Sequence, residues 1–560
     1  MSNLNFGPRE PGAADAEEMD GGPVGALSER QRQILEMLRS GKVNKEIASE
    51  LGIGLGTVKQ HVVALFKKLN VRNRAMAVSR GTEMIQETRK HFVDHGLLEY
   101  RPCIVLSLFL ADEQGATEQS PGRQLQQVMA ACAYDQDAIF LTHQKNGGDL
   151  IFGIQRSSES LVPKALQTAN QIVRHIKDSS KTGDLALRGG LAAGLAVASM
   201  HRLGGWSGEA IASSAISKSR LLAAETAPGT LSLGDTVKDL LHALAPSSWV
   251  ESLPATIGLD ALDQSPWRLK PDPARINSVL PIVGRDEEIA RLDSWLADAR
   301  HGRGRAVYIE GETGMGKSRL CDHLAARCIE TPGGSYQRFL CTEYNADHCF
   351  LKLTDGVALS LQDIVAQIVV GQPDVWIFDD CHRLSPTTLA DLLQATTTVG
   401  KRLMVFSGRR SANIAGHFPD TVKLGRLPAT VVKQIVKRET HDIRTERESN
   451  DIVDLAMGVP LFAIELAHQH SRSIPLSLRL VIGARLDRLK LDRLLLSTVA
   501  DDPGLWSVDQ LARRLQEVPA AIRPGLERAV TSGVLVRDSQ NRVCYSHPLL
   551  RQTVLQAKVE

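Results

Sequence analysis

Apolar residues recur at helical spacing near the start of the chain and gather into short strand-like runs farther on. Ile34, Leu35 and Leu38 form one face of a first helix, with Ser28 and Gln31 spaced as a capping box before it and Gly41 placed to end it. A second helix, capped by Asn44, runs through Lys45-Glu46-Ile47-Ala48 to Leu51, and Gly52-Ile53-Gly54 supplies a tight turn. In the third, Val58, Val62, Leu65 and Leu69 make an apolar stripe and leave Lys59, Gln60, Val63 and Lys67 on the other side. Farther on, Ile104 to Leu110, Leu150 to Ile154, Ala306 to Ile309, Val375 to Phe378 and Leu403 to Phe406 predict buried strands, and beyond Leu427 the pattern is mostly helical.

Composition bounds this picture. A chain of 560 residues is too long for one core, so several domains are expected. With 43% hydrophobic and 23% charged residues and no apolar run long enough to cross a bilayer, it reads as a water-soluble, cytoplasmic protein without a membrane partner. Met1 to Gly25 carries Gly, Pro, Ala and acids in place of a basic and apolar leader, so a flexible tail is expected rather than a signal peptide. The eight cysteines include no C-x-x-C pair, which fits reduced thiols. Cys341, His348, Cys349, Cys381 and His382 match no common zinc spacing. Ala245 to Ser278, rich in Pro, Ser and Asp, reads as a linker, and no internal repeat is evident. A net charge of only +2 means that any nucleic-acid surface must be local.

Such a surface is expected at the first three helices. A short helix, a glycine turn and a longer helix with basic residues opposite its apolar stripe is the layout of a helix-turn-helix. Leu27-Ser28-Glu29-Arg30, Asn44-Lys45-Glu46-Ile47-Ala48, Thr57-Val58-Lys59-Gln60-His61 and Lys68-Leu69-Asn70-Val71 resemble the LuxR/GerE-type DNA-binding domain. The resemblance implies that Lys45, Thr57, Lys59, Gln60, His61 and Lys67 meet double-stranded promoter DNA, Lys59 or Gln60 reaching base edges. It also implies that Ala75, Met76 and Val78 pair two copies. Gly54 stands where that family often has a capping serine, a change worth a few tenths of a kcal/mol.

The second region offers carboxylates at strand ends. Asp112 follows the first apolar run and Asp149 precedes the next; such acids either form turns or share divalent cations beside a triphosphate. Asp112-x-x-Gly115-x-Thr117, Lys145-x-x-Gly148-Asp149, Arg188-x-Gly190-x-x-x-Gly194 and Ala227-Pro228-Gly229 together resemble a class III adenylate/guanylate cyclase domain. That implies a ferredoxin-like α+β fold, with Asp112 and Asp149 as metal ligands and Lys145 as the adenine-selecting residue. Aligned from Gly208, the base-contacting, Asn and Arg positions of the family fall on Gly205, Ala212 and Ile216; aligned from Leu221, Arg220 is retained but the Asn position becomes Ile216. Loss of donors aimed at developing charge costs orders of magnitude in rate, so both metal ligands are expected to be vestigial and cyclase activity lost.

The third region carries the densest chemistry. The strand ending at Ile309 runs into Gly311-Glu312-Thr313-Gly314-Met315-Gly316-Lys317-Ser318, followed by Arg319 and an amphipathic helix. Backbone N–H groups of such a loop wrap phosphates, Lys317 reaches the β and γ oxygens, and the Ser318 hydroxyl ligates Mg²⁺. Asp379 closes the next acidic strand as a Mg²⁺ ligand, and Asp380 orients or deprotonates water. Arg409, after the strand ending at Phe406, is placed to sense the γ-phosphate. The P-loop, the Asp-Asp strand, Val283 to Glu288, Gly458-Val459-Pro460-Leu461, Arg485 to Leu489 and Tyr545-Ser546-His547-Pro548 resemble the STAND class of AAA-like ATPases, found in large regulators of the MalT kind. The resemblance implies that Gly284 and Arg285 lie near adenine and Pro460 near the phosphates, with ATP and ADP as on and off states and slow hydrolysis at most. Val459 replaces the family's usual Asn.

The expected order is therefore a tail (1–25), an all-α helix-turn-helix (26–88), a degenerate cyclase-like domain (100–242), a linker (243–279), an α/β P-loop NTPase (280–428), a helical lid (429–490) and a winged-helix-like end (491–560). Together these predict an ATP-switched, LuxR-type transcription regulator, a homodimer or higher oligomer acting on promoter DNA and RNA polymerase. The alternatives are an adenylate cyclase with a DNA-binding extension and a STAND-type signalling scaffold.

Overall fold

The computed structural model describes residue 62 and residues 97–110, 121–143, 146–179, 187–244, 255–259, 281–330, 332–341, 349–352, 358–370, 374–396, 402–409, 417–469 and 473–559. It divides into two compact units, Met1–His95 and Gly96–Glu560. In the first only Val62 is described; it is helical and buried, as its place in the apolar stripe predicts. The expected DNA-facing residues Lys45, Thr57, Lys59, Gln60, His61 and Lys67 lie outside the described residues, as do Asp112 and Lys145.

The second unit opens with a largely antiparallel sheet. Its strands are β1 (Leu97–Leu110), β2 (Ile139–His143), β3 (Gly147–Phe152), β4 (Leu187–Met200), β5 (Ala212–Ser213), β6 (Thr230–Leu233) and β7 (Thr256–Gly258). Their order is β2-β3-β1-β4-β6-β7, with β5 on β4. Helices α1 (Pro121–Asp135), α2 (Leu161–Ser179), α3 (Ser214–Glu225) and α4 (Asp235–Leu244) connect them. Both faces are covered, which explains the unbroken apolar run in β1. Ile104, Leu106 and Leu108 pack with α1, α2 and α4 through Leu125, Leu166 and Leu240, while Cys103 and Val105 face Ala215 and Ile216 of α3. The sequence reading began β1 at Ile104; pairing with β4 from Leu97 to Leu110 extends it toward the amino terminus. Within the expected linker, Thr256–Gly258 instead pairs with β6, and Ile257 and Leu259 are buried in the core.

A second, mostly parallel sheet follows. It contains β8 (Arg305–Glu310), β9 (Tyr336–Cys341), β10 (Phe350–Lys352), β11 (Ala358–Leu359), β12 (Val375–Asp379), β13 (Leu403–Gly408) and β14 (Asp420–Lys423). They are ordered β11-β10-β9-β12-β13-β8-β14. Helices α5 (Asp286–Arg300), α6 (Lys317–Ile329), α7 (Leu361–Val370) and α8 (Pro386–Thr396) flank it. In β12, Val375 and Ile377 pack with Leu296 and Leu324 on one face, while Trp376 and Phe378 stack with Phe339 on the other. The carboxyl ends of β8, β12 and β13 meet at one edge, where α/β sheets bind ligands.

Helices α9 (Ala429–Glu439), α10 (Glu446–Ala456), α11 (Pro460–His468) and α12 (Leu476–Leu489) come next. The chain then forms α13 (Arg493–Asp501), α14 (Val508–Leu515), α15 (Pro519–Thr531), the hairpin β15–β16 (Leu535–Arg537, Val543–Tyr545) and α16 (Pro548–Ala557). This last group seats the antiparallel sheet. Asp487 of α12 accepts hydrogen bonds from Arg101 Nη2 at 2.5 Å and from the Ser157 amide at 2.7 Å, and it also pairs with Arg493. Arg493 pairs with Glu99, and Arg202 with Asp492 at 2.7 Å and with Glu517. Burial works against the Asp487 charge, but the guanidiniums of Arg101 and Arg493 outweigh it and hold the carboxyl below its usual range.

His547 caps α16 by accepting the Leu549 amide at Nδ1, 3.0 Å away, with its ring edge-on to Phe462. Burial first, and the Arg426 charge second, lower its pKa to about 4.

Two outcomes are expected. Asp487→Ala leaves the buried Arg101 without its ion-pair carboxylate, with only the Gly153 carbonyl still accepting from it, and costs about 3–5 kcal/mol, read as a lower thermal midpoint and lost hydrogen-exchange protection at the Ser157 amide. An unchanged midpoint refutes this. For His547, the unfolded chain takes up a proton below about pH 6.5 that the folded ring refuses until about pH 4, so stability falls on acidification through that window. His547→Asn retains a capping acceptor and removes the titration. The drop in thermal midpoint between pH 7 and pH 5 is therefore smaller in this variant than in the wild type, and an equal drop rejects the assignment.

Candidate nucleotide site

The site is built where β8 gives way to α6. Gly314 and Gly316 have φ of +79° and +96°, and a Cβ on Gly314 would stand 2.7 Å from the Leu461 Cβ. The loop therefore requires glycine there for both conformation and clearance. Gly316 caps α6, whose amino terminus adds a favourable potential for anions. Lys317 is buried, and its Nζ donates to the carbonyls of Gly311 at 2.9 Å and Glu312 at 3.1 Å.

The two acids differ sharply. Asp379 closes β12 and is buried; one oxygen accepts from Arg338 Nη2 at 2.7 Å and the other from the Ser407 hydroxyl. Arg338, itself buried, also pairs with Asp322 and donates to the Ser318 carbonyl at 3.3 Å. Asp380, with φ of +57°, lies 3.4 Å from Arg383 Nε. Burial would raise its carboxyl, but Arg383, His382, Lys317 and Arg409 prevail and hold it at about 2. Asp380 is thus an ionised carboxylate facing the cavity, fit for a cation or a water.

Arg409 follows β13 and donates through Nη2 to Thr313 Oγ1 of the P-loop and to Glu159. Arg285 ties the loop to the start of the helical region, donating to the carbonyls of Met315 at 3.3 Å and Gly425 at 2.6 Å and pairing with Glu288. Gly284 has φ of +71°, and a Cβ there would lie 2.6 Å from Val431 Cγ1. Pro460 opens α11, and the Leu461 amide donates to the Gly314 carbonyl at 3.1 Å, so the helical region rests directly on the P-loop.

These groups surround a cavity of about 930 Å³, large enough for a nucleotide. Its walls include Arg285, Thr313 to Arg319, Asp379, Asp380 and Pro460. Gly311, Glu312, Gly284 and Arg409, also expected at the nucleotide, are not among the residues that line it. Mg²⁺ fits a donor set of the Ser318 hydroxyl and the ionised Asp380, while both Asp379 oxygens are engaged by Arg338 and Ser407. Arg338, Ser407, Arg383 and Glu159 escaped the sequence reading. Arg338 had a signal, a lone charge inside an otherwise strand-forming run; Glu159 had none, lying in a polar turn.

The other candidate centre is closed. Asp149, fully buried on β3, accepts from Ser107 Oγ at 2.6 Å and from Arg220 Nη2 and Nε at 2.6 and 2.9 Å. Ser219 of α3 bonds the same serine at 2.7 Å. Of the cysteine and histidine cluster, His348 lies outside the described residues, and Cys341, Cys349 and Cys381 sit in an apolar core. Burial raises all three thiols, and no cluster of three or more His, Cys, Asp or Glu side chains able to hold a metal occurs among the described residues. No described helix is long and apolar enough to cross a membrane.

Comparison with known proteins agrees with the two motif-rich regions. Residues 25–80 match the family of bacterial regulatory proteins, luxR family, and residues 281–369 match the AAA ATPase domain. The transcriptional regulatory protein DesR of Bacillus subtilis is 42% identical over 57 residues, 10% of this chain and 29% of that protein. The HTH-type transcriptional regulator MalT of Vibrio cholerae is 38% identical over 60 residues, 11% of this chain and 7% of that protein. The chain thus spans under a third of the length of such curated relatives. Among solved structures, a RuvB mutant of Thermotoga maritima aligns over 47% of this chain and 93% of that chain at 17% identity, with a TM-score of 0.28. A STAND protein with a tetratricopeptide repeat sensor from Pyrococcus horikoshii aligns over 49% of this chain and 42% of that one at 15% identity, with a TM-score of 0.24. Scores this low establish no shared fold. On the sequence matches, the chain carries a luxR-family helix-turn-helix domain and an AAA ATPase domain.

Proposed function

We propose that this chain is an ATP-dependent, LuxR-type transcriptional regulator that binds double-stranded promoter DNA through its first unit and is switched by ATP and ADP at the P-loop. The observation that carries the reading is the convergence of Lys317, Ser318, Asp379 and Asp380 on one nucleotide-sized cavity, with Arg409 bonded to Thr313 of its wall, in a chain that also bears a luxR-family segment. In this reading Lys317 and the loop amides hold phosphates, Arg409 responds to the γ-phosphate, and Ser318 with Asp380 holds Mg²⁺, while Asp379 stays engaged by Arg338 and Ser407. Lys317, Arg285, Arg383 and Arg409 each have an internal acceptor, which suits a two-state switch: a ligand moves an equilibrium only by its differential affinity for the two states. The protein works in the cytoplasm as a homodimer or higher oligomer and delivers its output to RNA polymerase.

The antiparallel domain belongs to the same reading as a degenerate cyclase-like module. Its first four long strands are connected β-α-β-β-α-β and ordered β2-β3-β1-β4, the ferredoxin-like arrangement, which supports the relationship. The closed Asp149–Arg220 pair argues against turnover, because the carboxylate due to hold metal is neutralised by the chain's own guanidinium.

Two outcomes test this. Lys317→Ala weakens ATP binding by about 10–100-fold, as loss of charge-assisted hydrogen bonds does, and abolishes regulated reporter output, while salt-dependent promoter retention by the full chain persists. Wild-type reporter output in that variant defeats the switch. Purified protein supplied with Mn²⁺ and ATP yields no cyclic AMP above background; production that disappears in Asp149→Ala establishes the cyclase alternative instead.

A further inference from the structure

The nucleotide cavity contains a carboxylate that P-loop chemistry does not call for. Glu159 belongs to the antiparallel-sheet domain, in the turn before α2, yet it lines the cavity. Its Oε1 accepts from Arg409 Nη2 at 2.5 Å and from Thr313 Oγ1 at 3.2 Å. Arg383 and Arg488 stand 3.9 and 3.8 Å away. Three guanidiniums, one after β12, one after β13 and one at the end of α12, thus converge on one acid that is only 15% exposed. Lys317 is not among them; it faces the loop carbonyls.

Arg409 and Thr313 meet at the P-loop, where the proposed reading puts the terminal phosphate. Glu159 occupies those same donors. We propose that Glu159 is the residue by which this site distinguishes ATP from ADP: its carboxylate stands in for the γ-phosphate at Arg409 and Thr313, coexists with a nucleoside diphosphate, and must be displaced by a triphosphate. This rests on the nucleotide-binding reading above. Two anions cannot share one guanidinium face at close range without repulsion. Displacement is also transmitted, because the same turn is held by the Ser157 amide on Asp487 and by Arg383 Nη1 on Ser160 Oγ at 3.0 Å. Triphosphate binding and loosening of the 157–160 turn are therefore linked, and each promotes the other.

Isothermal titration of the full chain with Mg²⁺ and either ADP or a non-hydrolysable ATP analogue tests the proposal. Glu159→Gln keeps the shape and an acceptor oxygen but removes the charge. It is expected to tighten the analogue about tenfold, charged hydrogen bonds being roughly twice as strong as neutral ones, with ADP affinity changing less than about twofold. Unchanged analogue affinity, or an equal change for both nucleotides, overturns it. Hydrogen exchange on the wild-type chain gives a second measure, valid even where the variant fails to fold: amides 157–162 exchange faster with the analogue than with ADP, and equal exchange overturns the proposal. If the wild type binds neither nucleotide, the nucleotide reading falls and takes this inference with it. Binding of both with an unaltered ratio in Glu159→Gln defeats the inference alone.

Discussion

Asp487 is the point on which the second unit is assembled. Removing a carboxylate from water costs several kcal/mol, and here Arg101, Arg493 and the Ser157 amide together offset that cost. Arg101 lies on β1, the central strand of the antiparallel sheet, and Ser157 two residues before Glu159. One acid therefore fixes both the seating of the sheet and the approach of the following turn to the P-loop. The flanking pairs, Glu99 with Arg493 and Arg202 with Asp492, make much of this contact ionic. Ionic contacts specify register while adding modest net stability, a suitable property for a contact that a ligand is to make and release.

The nucleotide site obeys the same economy of charge. Lys317 is satisfied by carbonyls, Arg338 by Asp322 and Asp379, Arg383 by Asp380, and Arg409 by Thr313 and Glu159. In the proposed reading, phosphate binding at this site is therefore an exchange of partners. Its free energy is the difference between two sets of hydrogen bonds, and small differences between ligands are not swamped by one large gain. A catalytic P-loop gains from maximal transition-state stabilisation; a switch gains from balanced alternatives.

What was legible in the sequence follows from locality. The P-loop, the acidic end of β12 and Arg409 are contiguous patterns, and the structure gathers them at the carboxyl edge of one sheet. Strand β1 was legible only in its unbroken apolar half, since Leu97 to Cys103 is held by pairing with a strand some ninety residues on, beyond any local period. Short Thr256–Gly258 carries too few residues to show alternation, so it read as linker although Ile257 is buried. Asp149 was visible as a strand-end acid, but its partner Arg220 comes from a helix 71 residues later. Glu159 shows the limit most clearly: in Ser157-Ser158-Glu159-Ser160 it has the look of a solvated turn residue, and only the domain contact gives it three cationic neighbours.

The closed Asp149–Arg220 pair and the reach of Glu159 point the same way. In the antiparallel domain the buried acid is neutralised internally, held by Ser107 and Arg220 with Ser219 behind, so that β3 and α3 are locked together where a metal centre would need open ligands. The acid that the domain presents outward is instead committed to another domain's arginines. A module that has turned its own carboxylate inward to structure and another outward to a neighbouring P-loop contributes geometry and charge rather than chemistry. In the proposed switch the antiparallel domain serves as an internal ligand of the P-loop site, its Glu159 competing with a terminal phosphate for Arg409.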